Sequence, residues 1–327
     1  MKKLLYSIAV LAIASSACAA EEWGYVGEIA CVPYNTSNVR MAASSDTVFF
    51  STYGAGQASV QVQKFVPAGD SNLLAGEFSQ IFDSGDLGGG YNGILGMVCQ
   101  PNGNIVATAD QLWTKVLGPD GTVYGTTDQA GARVCGTFEL SDGRIAMPDH
   151  FVSSSTTKFI TFNGTTGAPD TDITFAGQAT PAYTKPHYRD WAARTKTATG
   201  QTDELFVAYG GQLYKSVCDV TANTTSAPVP FTSGTFGEMG LANTGVFFDK
   251  SADQLIFTNG TDTKAYIINP DTAEIVQTLD LPAADAAAGR DAVVITVGAK
   301  KVLYITGPSK LYVYQRLTSD VSDWSLF

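Results

Sequence analysis

The sequence predicts an all-β protein assembled from one repeated unit. Three observations carry that prediction. Helical periodicity is nearly absent, and Ala283–Gly289 is long enough for only one turn. Short runs rich in Val, Ile, Phe, Tyr and Thr recur instead, bounded by Gly, Asn, Asp and Ser, the pattern of strands joined by tight turns. One two-strand motif, apolar strand, polar turn, apolar strand, appears six times, and self-similarity at a fixed period marks a repeat architecture.

The six copies are VRMAASSDTVFFSTYG from Val39, GILGMVCQPNGNIVATAD from Gly93, ARVCGTFELSDGRIAMPD from Ala132, DWAARTKTATGQTDELFVAYG from Asp190, NTGVFFDKSADQLIFTNG from Asn243 and RDAVVITVGAKKVLYITG from Arg290. Their turn markers are Asp46, Gly103, Gly143, Asp203, Asp253 and Lys300, spaced by roughly 50 residues. Third-strand candidates are Ser59–Val66, Leu112–Leu117, Lys158–Phe162, Gln212–Val217 and Lys264–Ile268. Outer-strand candidates are Ser79–Phe82, Thr122–Gly125, Thr171–Phe175, Val229–Thr232 and Glu274–Leu279. Four antiparallel strands per unit make a propeller blade, and stacking the blades in a ring covers both faces of each. The fold class expected is therefore an all-β, six-bladed β-propeller.

The last unit has strands at Val293–Val297, Lys301–Thr306 and Lys310–Arg316 but no fourth. The unassigned strand Trp23–Val32 can supply it, closing the ring with the N-terminal segment. A seven-bladed ring, with a degenerate blade across residues 66–92, is the structural alternative.

Composition agrees with a large core. The chain has 327 residues, 44% of them hydrophobic and only 16% charged, which excludes global disorder and a long coiled coil. The formal charge of −11 argues against duplex nucleic acid or anionic membrane as partner, because both demand clustered Lys and Arg. Lys2 and Lys3, the apolar run Leu4–Ala14 and the small segment Ser15–Ala20 read as a signal peptide cut after Ala19 or Ala20. The run falls short of the roughly 20 residues of a spanning helix, and no transmembrane segment is expected elsewhere. The expected organisation is signal peptide 1–20, propeller 21–317 and a tail 318–327. The chain is read as exported to the periplasm or extracellular space, with lipid anchoring through Cys18 as the rival processing route. Cys31, Cys99, Cys135 and Cys218 are too widely spaced for a metal motif and read mainly as small buried hydrophobes.

Strings such as Pro101–Asp110 (PNGNIVATAD) and Leu140–Met147 (LSDGRIAM) place a polar Gly turn directly before a β-rich strand. In this the chain resembles the NHL, YVTN and gluconolactonase-like (regucalcin-like) group of β-propellers. That resemblance implies the propeller fold over the whole mature chain, and for the gluconolactonase-like members a divalent cation such as calcium and hydrolase or lactonase activity. The group's early Glu-Gly-Pro and its central Asn-Gly after Arg-Pro are absent here.

Ligands of propellers usually enter at the face bearing the loops between blades. The longest of these loops are Asp83–Asn92 and Gly177–Arg189. Four of the seven arginines, Arg40, Arg133, Arg189 and Arg290, fall at or just before inner strands. They would ring the channel mouth as bidentate donors for a carboxylate, phosphate or acidic sugar. The competing reading pairs them with Asp190 and Asp291 between blades. His150 and His187 map to the same face, and Tyr91 and Trp191 offer stacking surfaces for a glycan or protein. Oxygen ligands for a divalent cation would come from Asn92, Asp149, Glu238 and Asp291.

The sequence thus supports an exported binding propeller for a small anionic molecule, a glycan or a protein partner. A metal-dependent hydrolase or lactonase, with the cation as its cofactor, and an envelope scaffold are the alternatives. Replacing Arg133 and Arg290 by Ala is expected to abolish ligand binding with the fold intact. A thermal-shift screen of small carboxylates, phosphates and acidic sugars on parent and double variant checks this.

Overall fold

The structure is a computed structural model, and it describes residues 22–31, 37–53, 59–85, 93–109, 113–128, 136–148, 158–176, 190–196, 199–209, 212–232, 244–259, 263–282, 291–307 and 309–317. Strand β1 (Glu22–Ala30) opens it. Then come β2 (Ser37–Ala43), β3 (Val48–Tyr53), β4 (Gln61–Pro67) and β5 (Gly76–Asp83), which form one antiparallel meander. A second comprises β6 (Ile94–Cys99), β7 (Ile105–Ala109), β8 (Trp113–Leu117) and β9 (Val123–Asp128). The next strands are β10 (Phe138–Glu139), β11 (Arg144–Pro148), β12 (Lys158–Asn163) and β13 (Ile173–Ala176). They are followed by β14 (Trp191–Thr195), β15 (Thr202–Tyr209), β16 (Gln212–Asp219), β17 (Thr224–Ser226) and β18 (Val229–Pro230). Another four-stranded meander holds β19 (Thr244–Asp249), β20 (Gln254–Asn259), β21 (Lys264–Ile268) and β22 (Ile275–Asp280). The last strands are β23 (Ala292–Val297), β24 (Lys300–Gly307) and β25 (Lys310–Leu317).

The sequence predicts six separate four-stranded sheets, and the structure corrects that count. Hydrogen bonding defines five sheets among the described residues, four with four strands and one with nine. The merger occurs where β13 pairs in parallel with β17, Thr174 opposite Thr224, so that two outer strands join two meanders. Among the described residues of 66–92 no extra blade forms either, because β5 is the fourth strand of the first sheet, paired with β4 from Gln61 opposite Asp83 to Pro67 opposite Gly76.

The innermost strands meet in order. β2 contacts β6, β6 contacts β10, β10 contacts β14, β14 contacts β19, β19 contacts β23, and β23 returns to β2. The second strands are covered on both faces, which is why most of them read as near-continuous apolar runs. Ile105–Ala109 is buried at every position, whereas outer strand Gly76–Asp83 is buried at none. Alternate side chains of a strand point to opposite faces, so one strand feeds two cores. Phe50 packs with Val302 and Tyr304 of the last sheet, while Phe49 packs with Ile105 of the second. Leu303 and Ile305 turn the other way, onto Ile256 and Ile267. Each such aliphatic or aromatic side chain contributes about 1.5–3 kcal/mol by leaving water.

Close approach between sheets dictates one glycine. A Cβ on Gly96 would lie 2.0 Å from Thr137 Oγ1 and 2.7 Å from its backbone nitrogen, so the chain just before β10 can approach β6 this closely only at a glycine.

The ring closes where the sequence places the closure. β1 pairs antiparallel with β25 from Glu22 opposite Leu317 to Ala30 opposite Lys310, with one bulge between Tyr25 and Gly27. The buried Trp23 backbone is bonded on both sides by the Gln277 amide, which accepts from its N–H at 2.7 Å and donates to its carbonyl at 2.9 Å. The Arg316 guanidinium lies over the Trp23 ring, 4.6 Å from its centroid. Between the first and last inner strands, Thr296 N–H donates to Ser45 O at 3.0 Å. Residues 1–20, expected from sequence to be a signal peptide, and residues 318–327, expected to be a tail, lie outside the described residues, and no helix among those described is long and apolar enough to cross a membrane.

Deleting residues 22–30 should leave a β-rich chain that unfolds at markedly lower denaturant. Removal strips Trp23 and Ile29 from two cores and exposes the edge of β25. Urea unfolding followed by circular dichroism reads the shift in midpoint.

Candidate functional site

The inner strands surround a channel of about 480 Å³. Its wall begins with Asp190 and Asp291, which immediately precede β14 and β23. It continues past Met97, Ala193 and Val294 and ends at Ser44, Ser45, Lys250, Ser251 and Thr296. These last residues belong to the hairpins that join first to second strands, or to the strand ends beside them. From Asp291 to Thr296 an extended strand spans about 17 Å, which sets the depth of the sleeve. The cavity therefore reaches the hairpin face. The sequence directs attention to the opposite face, whose long loops lie almost wholly outside the described residues.

At the inner end sits a buried ionic cluster. Arg40 is 1% exposed. Its Nε donates to Leu95 O at 3.0 Å, and Nη1 lies 3.7 Å from Asp190 Oδ2. Asp190 Oδ2 accepts from Val246 N–H at 3.3 Å. Asp291 Oδ2 accepts from Met41 N–H at 2.7 Å, and Oδ1 accepts from Ala292 N–H at 2.7 Å. Burial, and then the neighbouring Asp190 carboxylate, push Asp291 well above the usual carboxylate range, against the pull of Arg40 and two amides. Asp190 is raised as well, by burial, with Arg40 opposing.

At the hairpin end the chemistry differs. Lys301 Nζ donates to Thr296 Oγ1 at 2.8 Å. Burial raises the pKa of Glu139, with Lys250 and Gln100 opposing. Asp249 is committed to Arg316 through a buried ion pair. Cys99, also on the wall, has its thiol pushed up to about 12 by burial and then by Glu139, which leaves it protonated and unreactive at neutral pH.

Three of the residues singled out by sequence are described. Arg40 takes the inter-strand Arg–Asp role: its guanidinium is spent on Asp190 and Leu95, not presented at a mouth. Trp191 borders the channel, but its ring is packed against Phe138 and Phe159, with centroids 6.0 and 5.0 Å away, so it fills a core where a stacking surface was expected. Asp291 stands as the acceptor of two backbone amides where a cation ligand was expected. Arg133, Arg189, Arg290, His150, His187, Tyr91, Asn92, Asp149 and Glu238 lie outside the described residues, and no group of three or more candidate metal ligands occurs among those described. Sequence reasoning passed over Glu139, Lys250 and Lys301. Their one signal is position: each lies within a few residues of a repeat's turn marker.

No protein-family model matches the chain, and no curated protein does. Among solved structures, a luciferin-regenerating enzyme superposes with a TM-score of 0.55 at 13% identity, covering 89% of this chain and 95% of that one. The chain folds as a β-propeller. The WD40 β-propeller domain of Doa1 also superposes, with a TM-score of 0.47 at 10% identity, over 85% of this chain and 79% of that one. The propeller reading from sequence is thus supported at the level of fold, whereas no family model places the chain in the NHL, YVTN or gluconolactonase-like group.

Replacing Arg40 by Leu should cost about 3–5 kcal/mol of stability, because it strands Asp190 as an uncompensated buried charge. Urea unfolding at neutral pH measures the loss.

Proposed function

We propose that this protein is an exported binding propeller that takes a small anionic, hydroxyl-rich ligand, such as a sugar acid, into its central channel from the hairpin face. The observation that carries the reading is the polarity of the two channel ends. Among the described residues, Lys250 and Lys301 stand at the mouth against one carboxylate, Glu139, since Asp249 is neutralised by Arg316. Asp190 and Asp291, groups rich in acceptor oxygens, stand at the floor. A ligand with its carboxylate outward and hydroxyls inward satisfies both ends. The volume falls within the usual range for small-molecule sites, about 300–1,000 Å³. Export rests on the N-terminal signal segment. We read the ring as six-bladed, counting the nine-stranded sheet as two blades, because six inner strands meet in cyclic order.

Calorimetric titration of the mature chain with a hexuronate and the matching neutral hexose tests the reading. The uronate should bind more tightly than the hexose. Paired Lys250→Ala and Lys301→Ala substitutions should weaken it about tenfold, the scale of one charge-assisted hydrogen bond. Ser45→Trp, a large side chain at the mouth, should block binding while circular dichroism stays unchanged. Uronate binding to the Ser45→Trp chain at parental affinity would overturn the assignment.

A further inference from the structure

We propose that the acidic ligand also carries an ammonium group, and that it lies across the channel mouth with that group at Glu139 and its carboxylate at Lys250 and Lys301. This assignment rests on the channel being the binding site, and it narrows the ligand to an amino-sugar acid. The hairpins that join first to second strands surround the mouth. They are described at every ionisable position, since only Thr197 and Ala198 within them lie outside the described residues. Most charges in these hairpins and beside them are already matched. Arg144 pairs with Asp142, Lys196 with Asp271, Arg194 with Asp253 and Arg316 with Asp249. Buried Asp203 accepts from Ser141 N–H at 2.8 Å. Asp46 is exposed beside Thr47, and Lys300 donates to Asp70 O at 2.8 Å, neither of them on the channel wall. Glu139, Lys250 and Lys301 remain. All three line the channel, and none forms an ion pair among the described residues. Lys301 donates to Thr296 Oγ1 at 2.8 Å and has further N–H donors to spare.

Their places on the ring set the signs apart. In the cyclic order of inner strands β10 stands opposite β23, with β14 and β19 between them on one side and β6 and β2 on the other. Glu139 ends β10, and Lys301 is tied to β23 through Thr296. Lys250 directly follows β19, which neighbours β23. An anionic wall therefore faces a cationic one, across a gap that the side chains do not close by pairing. Glu139 and Lys301 are each half-buried, so each gives up hydration without gaining a counter-charge. A simple carboxylate ligand matches the lysines and leaves Glu139 as it was. A zwitterion matches both walls through charge-assisted hydrogen bonds. A 2-amino-2-deoxyhexuronate has the required shape: its nitrogen and its carboxylate stand on opposite atoms of one ring, and its remaining hydroxyls can face down the channel.

Calorimetric titration of the mature chain with a hexuronate and with its 2-amino-2-deoxy counterpart tests this, at about pH 6 so that the amine is protonated. The parent should bind the amino-uronate about tenfold more tightly than the uronate, the scale of one charge-assisted hydrogen bond. In Glu139→Gln, which keeps the size of the side chain and removes its charge, that preference should vanish. Glu139→Ala is the second variant if the first does not fold, with circular dichroism as the check. Equal affinity of the parent for the two ligands overturns the proposal by itself. So does an undiminished preference in a folded Glu139 variant. In both cases uronate binding still supports the channel as the site. Failure of that reading shows separately: neither ligand binds, or the Ser45→Trp chain binds uronate at parental affinity.

Discussion

Everything in this molecule follows from sheets that are apolar on both faces. Val48–Phe50, Ile105–Ala109, Leu255–Thr258 and Val302–Thr306 have no exposed position. Such a strand cannot rest on a single partner layer, because burying one face leaves the other in water. Stacking passes the problem to the next sheet, and only a ring ends the series. Closure is then a condition of stability, and the pairing of β1 with β25 makes the last sheet from both ends of the described chain.

The ring concentrates its polar demands at the centre. Inner strands crowd one another, and their inward backbone groups have no further strand to pair with. Asp190 and Asp291 answer this by accepting from Val246 and Met41, and Arg40 by donating to Leu95. An unpaired buried amide would cost about 1–3 kcal/mol, so these acceptors are structural before they are anything else. The same arrangement commits Arg40 to structural contacts and leaves Lys250 and Lys301 as the lysines that line the described channel wall.

The described arginines outside the channel do comparable work at the seams. Arg144 binds Asp142 in its own hairpin, then reaches Val220 O and the Asn223 side chain of the following unit. Arg194 of β14 meets Glu204 in its own sheet and Asp253 and Asp271 in the next. Each guanidinium spans a junction that apolar packing closes but does not lock in register. Local charge pattern alone could not tell such a pair from a ligand site, since an Arg next to an Asp in sequence is compatible with both.

The repeat, the strands, the turns and the N-terminal closure were legible because each is written in near neighbours: alternation, Gly and Asn at turns, and a strand left over beside a unit that lacked one. The parallel pairing of β13 with β17 was not, because it joins two outer strands whose sequences encode only that they are short and half-exposed. The fate of Arg40 was not, because its partners, Leu95, Asp190 and the neighbouring Asp291, lie 55 or more residues away. Nor was the hairpin end of the channel, since Lys250 and Lys301 come to line one cavity only when the ring brings separate hairpins round to one face. By itself the sequence determined the unit, because periodic burial is a local property of a strand. Tertiary structure alone decided which charges remain available to a ligand, because pairing is settled by distance in space once the ring has closed.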